Sequence, residues 1–240
     1  MREPLCDPDG WLAAAAHGLQ QEAEELLAQG THIDSLHPLI QTTALMEACR
    51  HGHVDMAAWL LSRKLPARST LAVASSMPVR DLEYVACPGD AGLVPRCNRG
   101  ANGIDGTLST ACGLAHGADA PVTLLTGDLA FLHDITGLIH REAINLRIFV
   151  INNDGGGIFS TLPQRGAKGF EQVFGTPHGL DPAEIATAMG IDAKTISSVE
   201  QLREEIKKPV SGISLVVCDV PNRESNADLI KGLYDKMSSI

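Results

Sequence analysis

The sequence predicts an α/β protein, a doubly wound parallel sheet preceded by a small all-α segment. Two short apolar, β-branched runs, 121–126 and 146–151, flank a stretch whose apolar residues fall at helical spacing. Strand-like and helix-like runs go on alternating towards the C-terminus, the pattern of strands joined by crossover helices. Residues 1–67 differ, carrying helix-like runs that recur and nothing that reads as a strand.

Taken in order, Leu71-Ala72-Val73-Ala74 is the first strand, and Pro66 marks the boundary just before it, since proline ends a helix. The chain therefore divides into 1–67 and 68–240. A helix is expected from near Pro78. A second follows over 129–141, where Leu129, Leu132, Ile135, Leu138 and Ile139 share one face. Beyond a glycine-bearing loop through Gly179, helices are expected over 182–189 and 199–207, strands near 195–196 and over 213–218, and a closing helix over 226–236. That makes about six strands, each followed by a helix.

In the N-terminal segment, Leu12-Ala13-Ala14-Ala15-Ala16-His17-Gly18 and Glu24-Glu25-Leu26-Leu27 return about 34 positions later as Leu45-Met46-Glu47-Ala48-Cys49-Arg50-His51-Gly52 and Ala58-Trp59-Leu60-Leu61. Thr43-Ala44-Leu45-Met46-Glu47-Ala48 stands where ankyrin repeats carry their turn-and-helix motif, so residues 1–67 resemble ankyrin repeats. About one and a half to two units are visible, fewer than the three that normally stabilise such an array. The segment is expected to lean on the second domain or to end a longer array, and an ordinary amphipathic helix pair fits it too.

The chemistry concentrates where the two central strands end. The first ends at Gly127-Asp128 and the second at Asn152-Asn153-Asp154-Gly155. Parallel strands joined by one crossover put both tips at the same carboxyl edge of the sheet, where ligands of open α/β sheets bind. An Asp, an Asn and a backbone carbonyl suit Mg²⁺. That ion takes hard oxygen ligands and is usually held by one or two protein groups together with ligand phosphate and water. Gly155, Gly156 and Gly157 let backbone approach a ligand without a Cβ in the way.

Four blocks carry a resemblance to a known family. They are 76–82 (SMPVRDL), 98–106 (NRGANGIDG), 127–134 (GDLAFLHD) and 152–159 (NNDGGGIF). The pairing of Gly-Asp with Asn-Asn resembles the diphosphate-binding domain of thiamine-diphosphate enzymes. The four blocks in this order are similar to the 2-succinyl-5-enolpyruvyl-6-hydroxy-3-cyclohexene-1-carboxylate (SEPHCHX) synthases of menaquinone and phylloquinone biosynthesis, over roughly residues 69–240.

The resemblance implies that Asp128, Asn153 and the Gly155 carbonyl bind Mg²⁺ or Mn²⁺. Gly127, Leu129 and Gly156 would border thiamine diphosphate, with Ile158 and Phe159 as the apolar wall beside its reactive ring. Ser76, Arg80 and Arg99 would meet the acidic substrates, 2-oxoglutarate and isochorismate. Arginine suits that task because its planar fork grips carboxylate in a bidentate way. The implied transferase reaction is decarboxylation of 2-oxoglutarate and addition to isochorismate.

Each assignment has a plainer counterpart in the residues themselves. Asp128 after a strand fits a helix N-cap, and Asn152 or Asn153 fits a turn. Arg80 and Arg99 fit a solvated surface, Ser76 the cap of the helix that begins near Pro78, and Ile158 and Phe159 an ordinary core.

The histidines offer no metal-ligand spacing, and His178, in the block Thr176-Pro177-His178-Gly179-Leu180-Asp181 that also matches the family, receives no role. The six cysteines contain no CxxC, which predicts a reduced, intracellular protein, cytoplasmic or organellar, a plastid included. A net charge of −10 argues against nucleic-acid or anionic-membrane partners. No apolar run approaches the roughly 20 residues needed to span a bilayer, and the N-terminus shows no targeting signal.

Members of the resembled family are about twice this long and carry a pyrimidine-binding domain that supplies the glutamate needed to activate the cofactor. Here the ankyrin-like segment stands in that place, and no residue is assigned as catalytic. The chain is expected to need a partner polypeptide or a homo-oligomer that completes the site, with the ankyrin-like segment as a surface for a further protein. An interaction protein with a non-catalytic cofactor-domain remnant is the alternative, and another thiamine-dependent decarboxylase or ligase is a third reading.

Overall fold

A computed structural model describes residues 25, 69–85, 93–98, 103–139, 143–228 and 231. Apart from residue 25, the ankyrin-like segment lies outside the described residues, as do the 1–67/68–240 boundary and Arg99. Within them, six strands form one sheet: β1 (Thr70–Val73), β2 (Val94–Cys97), β3 (Val122–Gly127), β4 (Leu146–Asn152), β5 (Asp192–Ile196) and β6 (Ile213–Asp219). Their order is β2-β1-β3-β4-β6-β5, and every pairing is parallel. The expected doubly wound sheet is present.

The central strands are apolar on both sides because both faces are covered. On one face Ala72, Val122, Leu124, Ile148, Val150, Leu215 and Val217 pack against α2 (Thr107–His116), α3 (Asp128–His133) and α4 (Pro182–Ala188), through Leu108, Phe131 and Ala186 among others. On the other, Leu71, Val73, Leu125, Phe149 and Val216 meet α1 (Met77–Val85) and α5 (Val199–Lys207), through Val79, Leu202 and Ile206. Successive residues of each strand thus serve opposite cores, so a slip of one residue would exchange the two sets.

Local chemistry fixes the helix starts. Asp181 caps α4, its side chain accepting from the backbone N–H groups of Ala183 and Glu184, with Pro182 in the first turn. Ser198 and Gln201 form a capping box at the start of α5. Arg147, a buried cation on β4, closes the other end of α5. Its guanidinium donates to the carbonyls of Glu205, Lys208 and Pro209 and to Ser214 Oγ. A positive charge belongs at a helix C-terminus.

The helix expected over 129–141 is shorter. It ends at His133, and a separate 3₁₀ turn covers Ile135–Leu138. The cause is tertiary: Asp134 turns its carboxylate to accept from Ser109 N (2.8 Å) and Ser109 Oγ (3.1 Å), at the start of α2. Gly137 then packs so closely on Ser109 that any side chain there would collide. Of the closing helix, residues 223–228 and 231 are helical, and the rest of the expected span lies outside the described residues.

The strand order has consequences for function. From β1 the chain moves to β2 on one side and then to β3 on the other, so the direction of winding reverses between β1 and β3. Ligands of open α/β sheets bind outside the carboxyl ends at such a switch point. Val73 pairs with Leu125 in register, and Ser76 and Asp128 each follow that pair by three residues at this edge.

Candidate functional site

At the carboxyl edge of β3 and β4, Gly127 pairs with Ile151, and the two chains then diverge. Asp128 opens α3 and is 2% exposed. Gly127, not Asp128, holds the N-cap position. The Asp128 carboxylate is instead held from three directions. Oδ1 accepts from Leu129 N at 2.6 Å, while Oδ2 accepts from Gly155 N at 2.9 Å and contacts His178 Nε2 at 3.2 Å. A carboxylate has about four lone-pair positions. The described residues fill three, and the remaining one is on Oδ1.

The two asparagines divide their tasks. Asn152 belongs to the sheet and turn: its Nδ2 donates to Asp219 Oδ1 at 3.0 Å and its Oδ1 accepts weakly from Asp154 N at 3.4 Å. The Asn153 amide lies beside Gly157, where a Cβ would strike its Nδ2. The described hydrogen bonds include none from the Asn153 side chain.

Gly155 and Gly156 are buried, and neither position has room for a side chain. A Cβ on Gly155 (φ 129°) would drive into the Gly175 carbonyl, and one on Gly156 into that of Phe174. The segment over them is a π-helical turn, Glu171–Gly175, joined by the hydrogen bond from Gly156 N to Gly175 O at 2.8 Å. Asp154, at φ 60°, ties the same loop down, its Oδ1 accepting from Gly179 N (2.8 Å) and His178 N (3.0 Å). Those backbone donors, Gly179 first, hold the Asp154 carboxyl below its ordinary range against the opposing effect of burial.

Two ion-pair connections brace the loop from the C-terminal side. Arg165 pairs with Glu224 and Asp228, and Ser160 Oγ donates to Glu224 at 2.8 Å. Arg223 donates through Nη2 to Glu171 at 2.7 Å, while its buried Nη1 sits beside Gly155 and Gly175 with no hydrogen-bond partner among the described residues.

Ser76 and Arg80 stand together. Ser76 has φ 73°, and Arg80 Nη1 donates to its carbonyl at 2.7 Å, so Arg80 is a half-buried anchor of the β1–α1 turn. Gly127 and Leu129 flank Asp128, both half-buried. Ile158 and Phe159 lie in a 3₁₀ turn, Gly157–Thr161, and neither is fully buried. Phe159 packs against Phe174, ring centroids 5.4 Å apart. The structure thus joins Asp128 directly to the Gly155 turn, and sets Ser76 on the neighbouring strand end.

Sequence reasoning missed His178. Its signal was the block Thr176–Asp181, which matched the family without suggesting a contact, because the residue meets Asp128 only after fifty positions of intervening chain have folded. Among the described residues no three His, Cys, Asp or Glu side chains form a cluster that could hold a metal. A cation here would instead need Asp128 Oδ1 with amide and carbonyl oxygens, a hard donor set that Mg²⁺ accepts. The open position on Asp128 Oδ1 fits such a cation, whereas the space beside Gly155 and Gly156, expected to admit a ligand, is taken by the carbonyls of Gly175 and Phe174.

The thiamine pyrophosphate enzyme family, C-terminal TPP binding domain, matches residues 95–220. The ankyrin repeats (many copies) family matches residues 12–61. The chain is similar to the 2-succinyl-5-enolpyruvyl-6-hydroxy-3-cyclohexene-1-carboxylate synthase of Trichodesmium erythraeum (strain IMS101), 44% identical over 162 residues, 66% of this chain and 28% of that protein. It is also similar to the protein of the same name from Gloeothece citriformis (strain PCC 7424), 39% identical over 202 residues, 82% of this chain and 34% of the relative. It therefore spans about a third or less of the length of these relatives. Among solved structures, benzoylformate decarboxylase from Polynucleobacter necessarius aligns with a TM-score of 0.56 at 19% identity, covering 70% of this chain and 33% of that one. A putative thiamin diphosphate-dependent enzyme from Mycobacterium smegmatis aligns at 0.51 and 21%, covering 70% and 31%. At those identities the likeness is one of fold. With the family match extending over more than half of the residues, the chain belongs to the thiamine pyrophosphate enzymes and carries the C-terminal TPP-binding domain found in SEPHCHX-synthase-like members.

Proposed function

We propose that this chain is the cofactor-binding half of a SEPHCHX-synthase-type transferase, which acts on 2-oxoglutarate and isochorismate in menaquinone or phylloquinone biosynthesis. The observation that carries the reading is the hydrogen bond from Gly155 to Asp128, which joins the two strand-end motifs and leaves one position of the carboxylate open. Asp128 Oδ1, the Asn153 amide oxygen and the Gly155 carbonyl would hold Mg²⁺ against the diphosphate. Bound thiamine diphosphate supplies an electron sink that protein side chains lack. The chain's own residues bind, orient and exclude water around it.

Ile158 and Phe159 form the apolar wall, kept in place by the Phe159–Phe174 contact. Arg80, with Arg99 and Ser76, receives substrate carboxylates, and the Arg80–Ser76 bond fixes the direction from which the guanidinium approaches. The activating glutamate comes from a pyrimidine-binding half on another polypeptide or on a further part of the same assembly. Without that carboxylate, proton transfer at the aminopyrimidine is slow.

The direct test is reconstitution. The chain is mixed with a polypeptide bearing a pyrimidine-binding domain, and CO₂ release from 2-oxoglutarate is followed with and without isochorismate. Turnover is expected only in the mixture and only with both substrates. A fast rate from the chain alone contradicts the divided site, and equal turnover of simple 2-oxo acids favours another thiamine-dependent decarboxylase or ligase. The ankyrin match over residues 12–61 supports a second role for that segment, docking a protein partner. If the cofactor domain is a non-catalytic remnant, no Asp128-dependent cofactor binding will be found.

A further inference from the structure

His178 carries an arrangement that the cofactor reading leaves unused. Its side chain is 10% exposed, and each ring nitrogen has a defined neighbour. Nδ1 accepts the backbone N–H of Leu180 at 3.0 Å. A nitrogen that accepts carries no proton, so in the neutral ring the hydrogen is on Nε2. Nε2 lies 3.2 Å from Asp128 Oδ2 and therefore donates to it. Asp154 Oδ1, 3.7 Å from Nδ1, is too far to compete, and it is already taken by the N–H groups of His178 and Gly179. The backbone thus sets the tautomer, and the tautomer aims a donor at one oxygen of Asp128.

That oxygen also receives Gly155 N. With two donors Oδ2 is filled, and the open position on Oδ1 is the one a cation can reach. We propose that His178 is a positioning residue that keeps Asp128 a one-oxygen ligand, and so biases the site towards a small octahedral cation such as Mg²⁺ over Ca²⁺. The chemistry follows from ion size: Ca²⁺ readily takes both oxygens of a carboxylate in a flexible shell of six to eight ligands, whereas Mg²⁺ demands near-ideal octahedral geometry. Hydrogen-bonded partners of metal ligands commonly set affinity by about 10–100-fold. This inference rests on the reading that Asp128 meets the metal.

The test uses the full chain with thiamine diphosphate present. Mn²⁺ binding is followed by the paramagnetic resonance of the free ion, and Mg²⁺ or Ca²⁺ is then added to displace it. Wild type, Asp128→Ala, His178→Ala and His178→Gln are compared, with circular dichroism as the control for folding. His178→Ala is expected to lower Mg²⁺ affinity about 10-fold or more and to shrink the preference for Mg²⁺ over Ca²⁺. His178→Gln, which offers an N–H at similar reach, is expected to keep most of that preference; a purely packing role for His178 would not be rescued this way. An unchanged Mg²⁺/Ca²⁺ ratio in His178→Ala overturns the proposal. So does a ratio in His178→Gln as low as in the alanine variant, and if His178→Ala fails to fold, the glutamine variant measured against wild type decides alone. Loss of the cofactor reading looks different: wild type and Asp128→Ala would then bind Mn²⁺ alike.

Discussion

Asp128 Oδ2 accepts the backbone N–H of Gly155 at 2.9 Å, so a carboxylate at the end of β3 is locked to the turn that follows β4. The bond joins two segments separated by a full crossover. It ties the Asp128 carboxylate to the backbone of the turn, so that moving either strand end disturbs both.

Gly155 and Gly127 should respond oppositely to alanine. Gly155 has φ 129° and faces the Gly175 carbonyl, while Gly127 has φ −86° and open space where its Cβ would be. Gly155→Ala is expected to lose about 1–3 kcal/mol from backbone strain alone, with collision adding to it, and Gly127→Ala less than about 1 kcal/mol. Chemical denaturation of the two variants checks this, and equal midpoints would show the cradle to be loose.

Arg147 should matter to stability although it is remote from the site. It closes α5 by donating to three backbone carbonyls, and burial lowers its pKa while Glu205 and Asp192 oppose that effect. Arg147→Met is expected to cost about 1–3 kcal/mol, since the buried Glu205 carbonyl and the part-buried ones of Lys208 and Pro209 lose their donor. Arg147→Lys should recover little of it, because an ammonium cannot reproduce the fork. Thermal melts of both variants provide the measurement.

Acid sensitivity should be traceable to Glu205. Burial pushes its carboxyl up, but hydrogen bonds from Lys208 and Lys194 outweigh that and leave it below the ordinary carboxylate value. A carboxyl lowered in the folded state contributes stability that is complete above its unfolded pKa and is lost as pH falls through the folded one. Glu205→Gln is therefore expected to be less stable than wild type at neutral pH and to show a flatter decline on acidification. Denaturation midpoints across pH 3–7 would reveal the difference in slope, about which wild type and variant must disagree.

The legible parts of this fold were those written locally. The runs 121–126 and 146–151, the helix at 199–207 and the strand at 213–218 announce themselves through apolar period and caps, and the structure has them as β3, β4, α5 and β6. Two elements did not. β2 is a four-residue edge strand, Val-Pro-Arg-Cys, mostly exposed and interrupted by proline, so it carries no alternation to detect. α2, rich in small residues and threonine, has a weak apolar stripe and starts from Gly106 at φ 67° with no side-chain cap. The break at Asp134 was hidden for a different reason. It depends on Ser109, a tertiary partner that helical spacing cannot register.

In the candidate site, residue type singled out Asp128 and the glycines after β4, and the structure joins Asp128 to Gly155 by a hydrogen bond. The division between Asn152 and Asn153 was not legible in the residues themselves, and only the family resemblance singled out Asn153. Both are turn formers in sequence, and in the structure the side chain of Asn152 bonds Asp219 on β6 while that of Asn153 lies beside Gly157. His178 was hidden similarly, since its relation to Asp128 exists only once the loop after Gly175 has closed.

The central claim, that Asp128 holds a cation which clamps a diphosphate, is tested most directly by calorimetric titration of thiamine diphosphate into wild type and Asp128→Ala, each with and without Mg²⁺. Mg²⁺-dependent binding is expected of wild type, with an affinity about 100-fold or more weaker in the folded variant, a larger loss than the removal of a supporting hydrogen bond brings. Equal affinities in the two proteins, or binding by wild type indifferent to Mg²⁺, would contradict it.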